Sequence, residues 1–204
     1  MKTNTFLYIL RLALTLLAIT AIMAAALAGV NKLTKDRIAA VEQEKKEEAI
    51  RAVMRVPFLE LSEVAFDDAT GMVKKVYRSE RYYYGCTPGE GDFYANDYVV
   101  EVEVMGFNGP VTMMVGIEQG LCVMGLSVVS HTETAGLGAV VAADSDAGKA
   151  FRSQFGHRMG TVTVIKDGGE IDAITGATVT SRAICQGVNA ALECVHNLHR
   201  EVQP

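Results

Sequence analysis

The feature that most constrains this chain is an uncharged run near its start. From Leu12 to Val30, 19 consecutive residues carry no charge, and the only polar interruptions are Thr15 and Thr20. At about 1.5 Å per residue, a helix over this run reaches roughly 28 Å, close to the thickness of a bilayer's hydrocarbon core. Threonine hydroxyls are tolerated there because they bond back to carbonyls of the preceding turn. A buried helix of a soluble protein is rarely apolar on all faces for so long. Ala26-Leu27-Ala28 resembles a signal-peptide cleavage site, but the run exceeds the roughly 7–15 residues of a signal-peptide core. We therefore expect an uncleaved anchor crossing the bilayer once. Lys2 and Arg11 flank one end and Lys32, Lys35 and Arg37 the other, so basic-residue counting does not orient it. Its second half holds Ala21, Ala24, Ala25, Ala26, Ala28 and Gly29. Such small residues permit close helix approach, so packing on partner helices is expected. Arg11 is expected at the cytoplasmic interface, its stem snorkelling towards the headgroups.

Charge separates the anchor from the rest. Residues 1–30 hold two basic residues and no acidic one, leaving 17 basic and 24 acidic residues beyond them, a net charge of −7. That balance argues against a nucleic-acid binder, which needs a basic surface to neutralise phosphates. It also argues against a domain lying flat on anionic lipid. Four cysteines in 204 residues are too few for a disulfide-built scaffold.

Beyond the anchor, Thr34 is placed to cap a second helix running towards Met54, with Ile38, Val41, Ile50 and Val53 as an incomplete apolar stripe and Val56-Pro57 as its stop. Strand composition follows at Met72–Arg78, Tyr98–Phe107, Val111–Ile117 and Leu121–Val129. Val100, Val102 and Val104 alternate with Glu101 and Glu103, the pattern of a half-buried antiparallel strand. Turn signals at Asn108-Gly109-Pro110 and Glu118-Gln119-Gly120 make the last three strands a meander. Residues between Tyr82 and Asp97 read as an irregular loop containing Gly85, Cys86, Pro88, Gly89 and Gly91. Ser145 caps a short helix to about Phe155, Thr161–Ile165 reads as a strand, and Lys166-Asp167-Gly168-Gly169 is its turn. A final helix starts near Thr178, with Ile184, Val188, Ala191, Val195 and Leu198 forming one apolar face. Strands in the middle and helices at the ends predict an α+β fold, a largely antiparallel sheet with flanking helices behind one membrane helix.

Most chemistry-bearing residues point to structure. Cys86, Cys122, Cys185 and Cys194 show no metal-site spacing, and buried thiols are the expectation for the last three. His131, His157, His196 and His199 have no nucleophile or ligand at a useful spacing, and His196 and His199 suit a surface position near a helix C-terminus. No phosphate loop and no dinucleotide fingerprint is present. Two segments remain. His131-Thr132-Glu133-Thr134-Ala135-Gly136-Leu137-Gly138 follows a strand, and its glycines let backbone approach a ligand. Asp172-Ala173-Ile174-Thr175-Gly176-Ala177-Thr178-Val179-Thr180-Ser181 leads into the last helix. A helix start with free N–H groups and several hydroxyls suits a phosphate, though it is also an ordinary capped turn.

Asp172-x-x-Thr175-Gly176-Ala177-Thr178 resembles the flavinylation signature of the FMN-binding domains found in the G subunit of Rnf complexes. A similar signature marks the C subunit of the sodium-pumping NADH:quinone reductase. The 131–138 segment looks like that family's second motif, with Ala135 where proline is usual. The likeness runs from about Gly109 to Leu192. It implies FMN held through a phosphoester on Thr178. Asp172, Thr175, Gly176, Ala177, Thr180 and Ser181, together with Glu133, Thr134, Gly136, Leu137 and Gly138, would form the surrounding site. No catalytic residue and no metal site is assigned. The implied organisation is an anchor over 1–31, a juxtamembrane helix over 32–56 and an FMN-binding domain over 57–204. The resemblance further implies an electron-relay subunit, not a complete enzyme, of a ferredoxin:NAD+ oxidoreductase coupled to sodium or proton translocation. Its partners would be the other Rnf subunits, the lipid bilayer and a flavin transferase using FAD and magnesium. The flavin domain would lie on the periplasmic or extracellular side of the cytoplasmic membrane. The other readings are the quinone-reductase subunit and an anchored binding or sensory module without flavin.

Overall fold

The structure, a computed structural model, describes residues 2–54, 61–83 and 93–202. The chain divides into two compact units, 1–44 and 45–204. In the first, helix α1 (Lys2–Val53) is already continuous through the apolar run. Its segment from Leu7 onward is long and apolar enough to cross a membrane by length and composition. Thr15 Oγ1 donates to Leu12 O at 2.8 Å, and Thr20 Oγ1 reaches Leu17 O at 3.0 Å. Thr34 reads as the cap of a new helix in the sequence. In the structure its hydroxyl donates to Val30 O at 2.9 Å within the same helix, because nothing between Val30 and Thr34 breaks the helical pattern.

The second unit is built on an antiparallel meander. Strands β1 (Leu61–Glu63), β2 (Val73–Tyr83), β3 (Phe93–Met105), β4 (Pro110–Ile117) and β5 (Val123–His131) lie in the order β1-β2-β3-β4-β5 among the described residues. The expected α+β architecture is present. Val100 sits opposite Val76 on one side and Val115 on the other. Helix α2 (Asp146–Ser153) starts at Ser145, whose Oγ accepts from Gly148 N at 3.3 Å. Helix α3 (Thr178–Val202) lays its apolar face on the sheet. Ile184, Val188, Ala191 and Val195 join Val100, Val102, Val104, Met113 and Val115 in the main core. Gly187 lets α3 approach closely, since a Cβ there would collide with Met113 Cε.

The opposite face is where expectation and structure part. Glu101 reads as solvent-facing from its alternation with valines. It is 5% exposed, because Ala49, Ile50 and Val53 of α1 cover Val99 and Met114 beside it. Lys46 of α1 meets the Glu101 carboxylate at 2.7 Å. Glu103, further along the strand, remains exposed and faces Lys74. A Cβ on Gly116 would sit 2.6 Å from Val53 O, so β4 needs glycine where the end of α1 crosses it.

Other expectations shift at their edges. β2 and β3 pair as far as Tyr83 opposite Phe93, so the segment from Tyr82 to Asp97 is partly strand, and 84–92, with Cys86, lies outside the described residues. The helix stop expected at Val56-Pro57 also lies outside them. Cys122 precedes β5, next to Leu121 with φ +60. Thr161–Ile165 is not a strand. Val162 finds its hydrogen bonds in the Asn189 side chain, at 2.8 and 2.9 Å, and Ile165–Asp167 turns into a 3-10 helix. His199 is half-buried against Tyr98, ring centroids 5.3 Å apart, and is not a surface residue. Burial first, then the neighbouring His196, pushes its pKa down. Cys122, Cys185 and Cys194 are buried, as their spacing suggests, and Cys185 and Cys194 are free thiols.

Candidate functional site

The site begins with the turn that starts α3. Ala177 N donates to Ile174 O at 2.9 Å, and Gly176 takes φ +78, a left-handed conformation that a side chain would resist. Ser181, fully buried, ties the turn to the first turn of the helix. Its Oγ donates to Ala177 O at 3.0 Å and accepts from Ile174 N at 3.1 Å. Asp172 is held through its backbone. Its N–H donates to Gln154 Oε1 at 2.7 Å while Gln154 Nε2 donates to its carbonyl, and the residue is otherwise exposed.

The candidate hydroxyls therefore divide. Thr180 and Ser181 point into the protein and Thr175 is exposed. Thr178, the first residue of α3, is half-buried, and its Oγ1 accepts from Lys166 Nζ at 3.3 Å. An ammonium and a helix N-terminus thus converge on one oxygen, both favouring negative charge there.

The 131–138 loop is brought to the same place by Glu133. This carboxylate, 8% exposed, accepts from Thr180 Oγ1 at 2.7 Å and from Asn108 N at 3.0 Å. It joins the first turn of α3, the loop after β5 and the β3–β4 turn. Room for it comes from Gly106 and Gly138, where a Cβ would collide with its oxygens. Thr134 O accepts from Leu137 N and Ala139 N, both at 3.2 Å, with Gly136 at φ +76 in the turn. Leu137 then lies against Gly176, 3.0 Å from where a Cβ would be. The two motifs are in contact, and Leu137, Gly176, Thr175 and Val179 remain exposed around Thr178. His131, at the end of β5, is only half-buried.

Several participants escape sequence reading. Lys166 and Asp167 look like turn residues, yet Lys166 reaches Thr178. Asp167 pairs with Arg182 through two bonds of 2.6 and 2.7 Å. The Arg182 guanidinium holds the Asp167 carboxyl below the usual range. Gln154, Asn108 and Asn189 act through side-chain contacts with distant backbone, which no local spacing encodes.

Residues 106–193 match the family described as FMN-binding domain, and residues 1–53 match the one described as RnfG N-terminal region. The chain is similar to the G subunit of the proton-translocating ferredoxin:NAD+ oxidoreductase complex of Clostridium ljungdahlii, 39% identical over 52% of this chain and 61% of that protein. It is similar to the G subunit of the ion-translocating oxidoreductase complex of Stutzerimonas stutzeri, 31% identical over 89% of this chain and 78% of that protein. It is similar again to the G subunit of the Na+-translocating ferredoxin:NAD+ oxidoreductase complex of Acetobacterium woodii, 30% identical over 94% of both chains. With likeness of that extent over both its apolar helix and the domain that carries Thr178, the chain belongs to the family of G subunits of the Rnf ion-translocating oxidoreductase complexes.

Proposed function

We propose that this chain is the membrane-anchored electron-relay subunit of a ferredoxin:NAD+ oxidoreductase complex, with FMN attached by a phosphoester to Thr178. The chain is a membrane protein with an FMN-binding domain and a subunit of a multi-subunit complex. The relatives' names speak of ferredoxin, which favours this reading over a quinone-reductase subunit.

The observation that carries the attachment point is the outward Thr178 hydroxyl at the start of α3, beside Lys166. Thr180 is the weaker rival because its hydroxyl is committed to the buried Glu133. The surroundings fit a flavin mononucleotide. The phosphate would meet the helix N-terminus and the Lys166 ammonium, and the ring would find exposed apolar surface on Leu137 and Val179. FMN, when bound, carries one or two electrons, which no side chain here can do. The chain's own part is to hold and orient it. Glu133 and Thr180 fix the two segments against each other, and Ser181 ties the Ile174–Ala177 turn to the start of α3. Gly136, Gly138 and Gly176 allow the close approach, Thr134 and Thr175 complete the rim, and Ala177 lies buried beneath the turn. Non-covalent flavin sites bury most of their ligand. A rim this exposed would release FMN, and a covalent bond retains it. Among the described residues the hydrogen-bond partner of the Thr178 hydroxyl is the Lys166 ammonium, a donor that takes no proton, which supports attachment by a separate transferase, with Asp172 exposed for recognition.

We divide the chain into an anchor over 1–31, a juxtamembrane segment over 32–56 and the flavin domain over 57–204, the last on the periplasmic or extracellular side. Intact mass and in-gel fluorescence after boiling test the assignment. Thr178→Ala should give a folded, membrane-bound protein without flavin. Flavin mapped by peptide mass to Thr175 or Thr180, or a parent chain without covalent flavin, overturns it.

A further inference from the structure

Lys166 reaches Thr178 because the segment that carries it is fixed. It is the middle residue of the 3-10 turn Ile165–Asp167. Gly168, at φ +87, closes that turn with its N–H donating to Ile165 O at 3.0 Å. The next residue after Lys166, Asp167, forms the two-pronged pair with Arg182. Arg182 stands four residues after Thr178 on α3, on the same helix face. The ion pair therefore holds the turn against the face on which the Thr178 hydroxyl sits, and the lysine stem spans the short remaining distance.

We propose that Lys166 is a positioning residue for the phosphoryl transfer that attaches the flavin, holding the Thr178 oxygen before transfer and the phosphodiester charge after it. This rests on the reading that Thr178 carries FMN. The donor is a flavin adenine dinucleotide. Thr178 Oγ1 forms a bond to the flavin-side phosphorus of its pyrophosphate. The bond from that phosphorus to the bridging oxygen breaks, and adenosine monophosphate leaves with the electron pair. The hydroxyl proton passes to a base outside this chain, and nothing is oxidised or reduced. An ammonium is donor only, so Lys166 does not take that proton. Its contact with Oγ1 favours the negative charge that grows as the proton departs. The same ammonium then faces the single negative charge of the phosphodiester, beside the positive end of α3. An arginine could supply the charge in a different shape, so it should substitute in part.

The test uses the full-length protein in detergent with a purified flavin transferase, FAD and magnesium. Initial rates of flavin incorporation are read by intact mass. Lys166→Gln should lower kcat about tenfold, the effect of one charge-assisted hydrogen bond, while KM for this protein stays within about twofold. The melting temperature should be unchanged, because Lys166 is exposed. Lys166→Arg should recover most of the rate, and Asp167→Asn, which loosens the turn, should fall between. The proposal is overturned if Lys166→Gln is modified at the parent rate. It is also overturned if KM rises while kcat holds, which would make Lys166 a docking contact for the transferase, or if arginine is no better than glutamine. A parent chain that takes flavin elsewhere than Thr178 overturns the functional reading itself, a result distinct from all of these.

Discussion

Glu133 shows how one buried carboxylate can join three segments that are far apart in the sequence. Both carboxylate oxygens are occupied by protein donors from other segments. Removing the carboxylate leaves the Thr180 hydroxyl without its acceptor in a buried place and takes the acceptor from the Asn108 N–H at its edge. Glu133→Ala should therefore cost about 3 kcal/mol, and Glu133→Gln, which keeps one acceptor, about 1 kcal/mol. Urea unfolding of the detergent-solubilised protein measures both. The buried thiols make a second prediction. Burial pushes Cys185 and Cys194 up to about 11 from an ordinary value of 9.0. Neither carries thiolate at neutral pH, so peptide mapping after alkylation of the native protein should find both unmodified. Because the folded pKa values are raised, the unfolded chain ionises first. The stability tied to the neutral thiols is whole below pH 9 and is lost as pH rises towards 11. Burial raises Tyr77 and Tyr98 as well, in the same sense. A melting temperature that holds flat across that alkaline range would contradict the assignment. At this scale Thr178 and Gly176 are legible in the sequence, because cap and turn chemistry is local. Lys166, twelve residues upstream of Thr178, is not, because only the folded chain brings the two together.

Elements are legible where their hydrogen bonds run within the element or to its chain neighbour. The β3–β4–β5 meander, the Ser145 cap and the apolar face of α3 are all of this kind. Two segments mislead for the opposite reason. Thr161–Ile165 has strand composition, but Val162 is satisfied by an Asn189 side chain that sits on α3. Glu101 has the pattern of a solvent face, but α1 runs on past its charged stretch and covers that face. The second case gives an element-scale prediction. Lys46→Met leaves the Glu101 carboxylate buried without its partner, which should cost roughly 3–5 kcal/mol. The double change Lys46→Met with Glu101→Met restores an apolar pair and should recover most of that loss, a coupling that a double-mutant cycle in urea reads directly. Gly116→Val should cost about 1–3 kcal/mol by overpacking, because its Cβ would sit 2.6 Å from Val53 O. If both sites tolerate these changes, the end of α1 does not dock as the structure has it.

Across the whole molecule, the apolar helix raises the question of what it touches. Residues from Leu7 through Val30 are exposed on every face of α1. Lipid alone would cover leucine on all sides as well as alanine, and gives no reason for Ala21, Ala24, Ala25, Ala26, Ala28 and Gly29 to gather in one half. Close helix approach does, because association within lipid depends on packing and not on escape from water. Gly29 has nothing within 4 Å of where a Cβ would stand, which leaves room for a neighbouring helix. Membership of a multi-subunit family supplies the candidates for that neighbour. Ala24 and Ala28 are four residues apart and lie on one face. Changing both to leucine adds bulk there while keeping the run apolar. The protein should then remain in the membrane, with the proposed flavin still on it, and be lost from the complex purified through another subunit. Normal recovery of the complex with the double change would mean that the helix is a tether in lipid and that the assembly is held by the domain that follows it. On the proposed attachment to Thr178, the flavin readout keeps the outcomes apart, since a chain that failed to insert or fold would lack covalent FMN as well as its place in the complex.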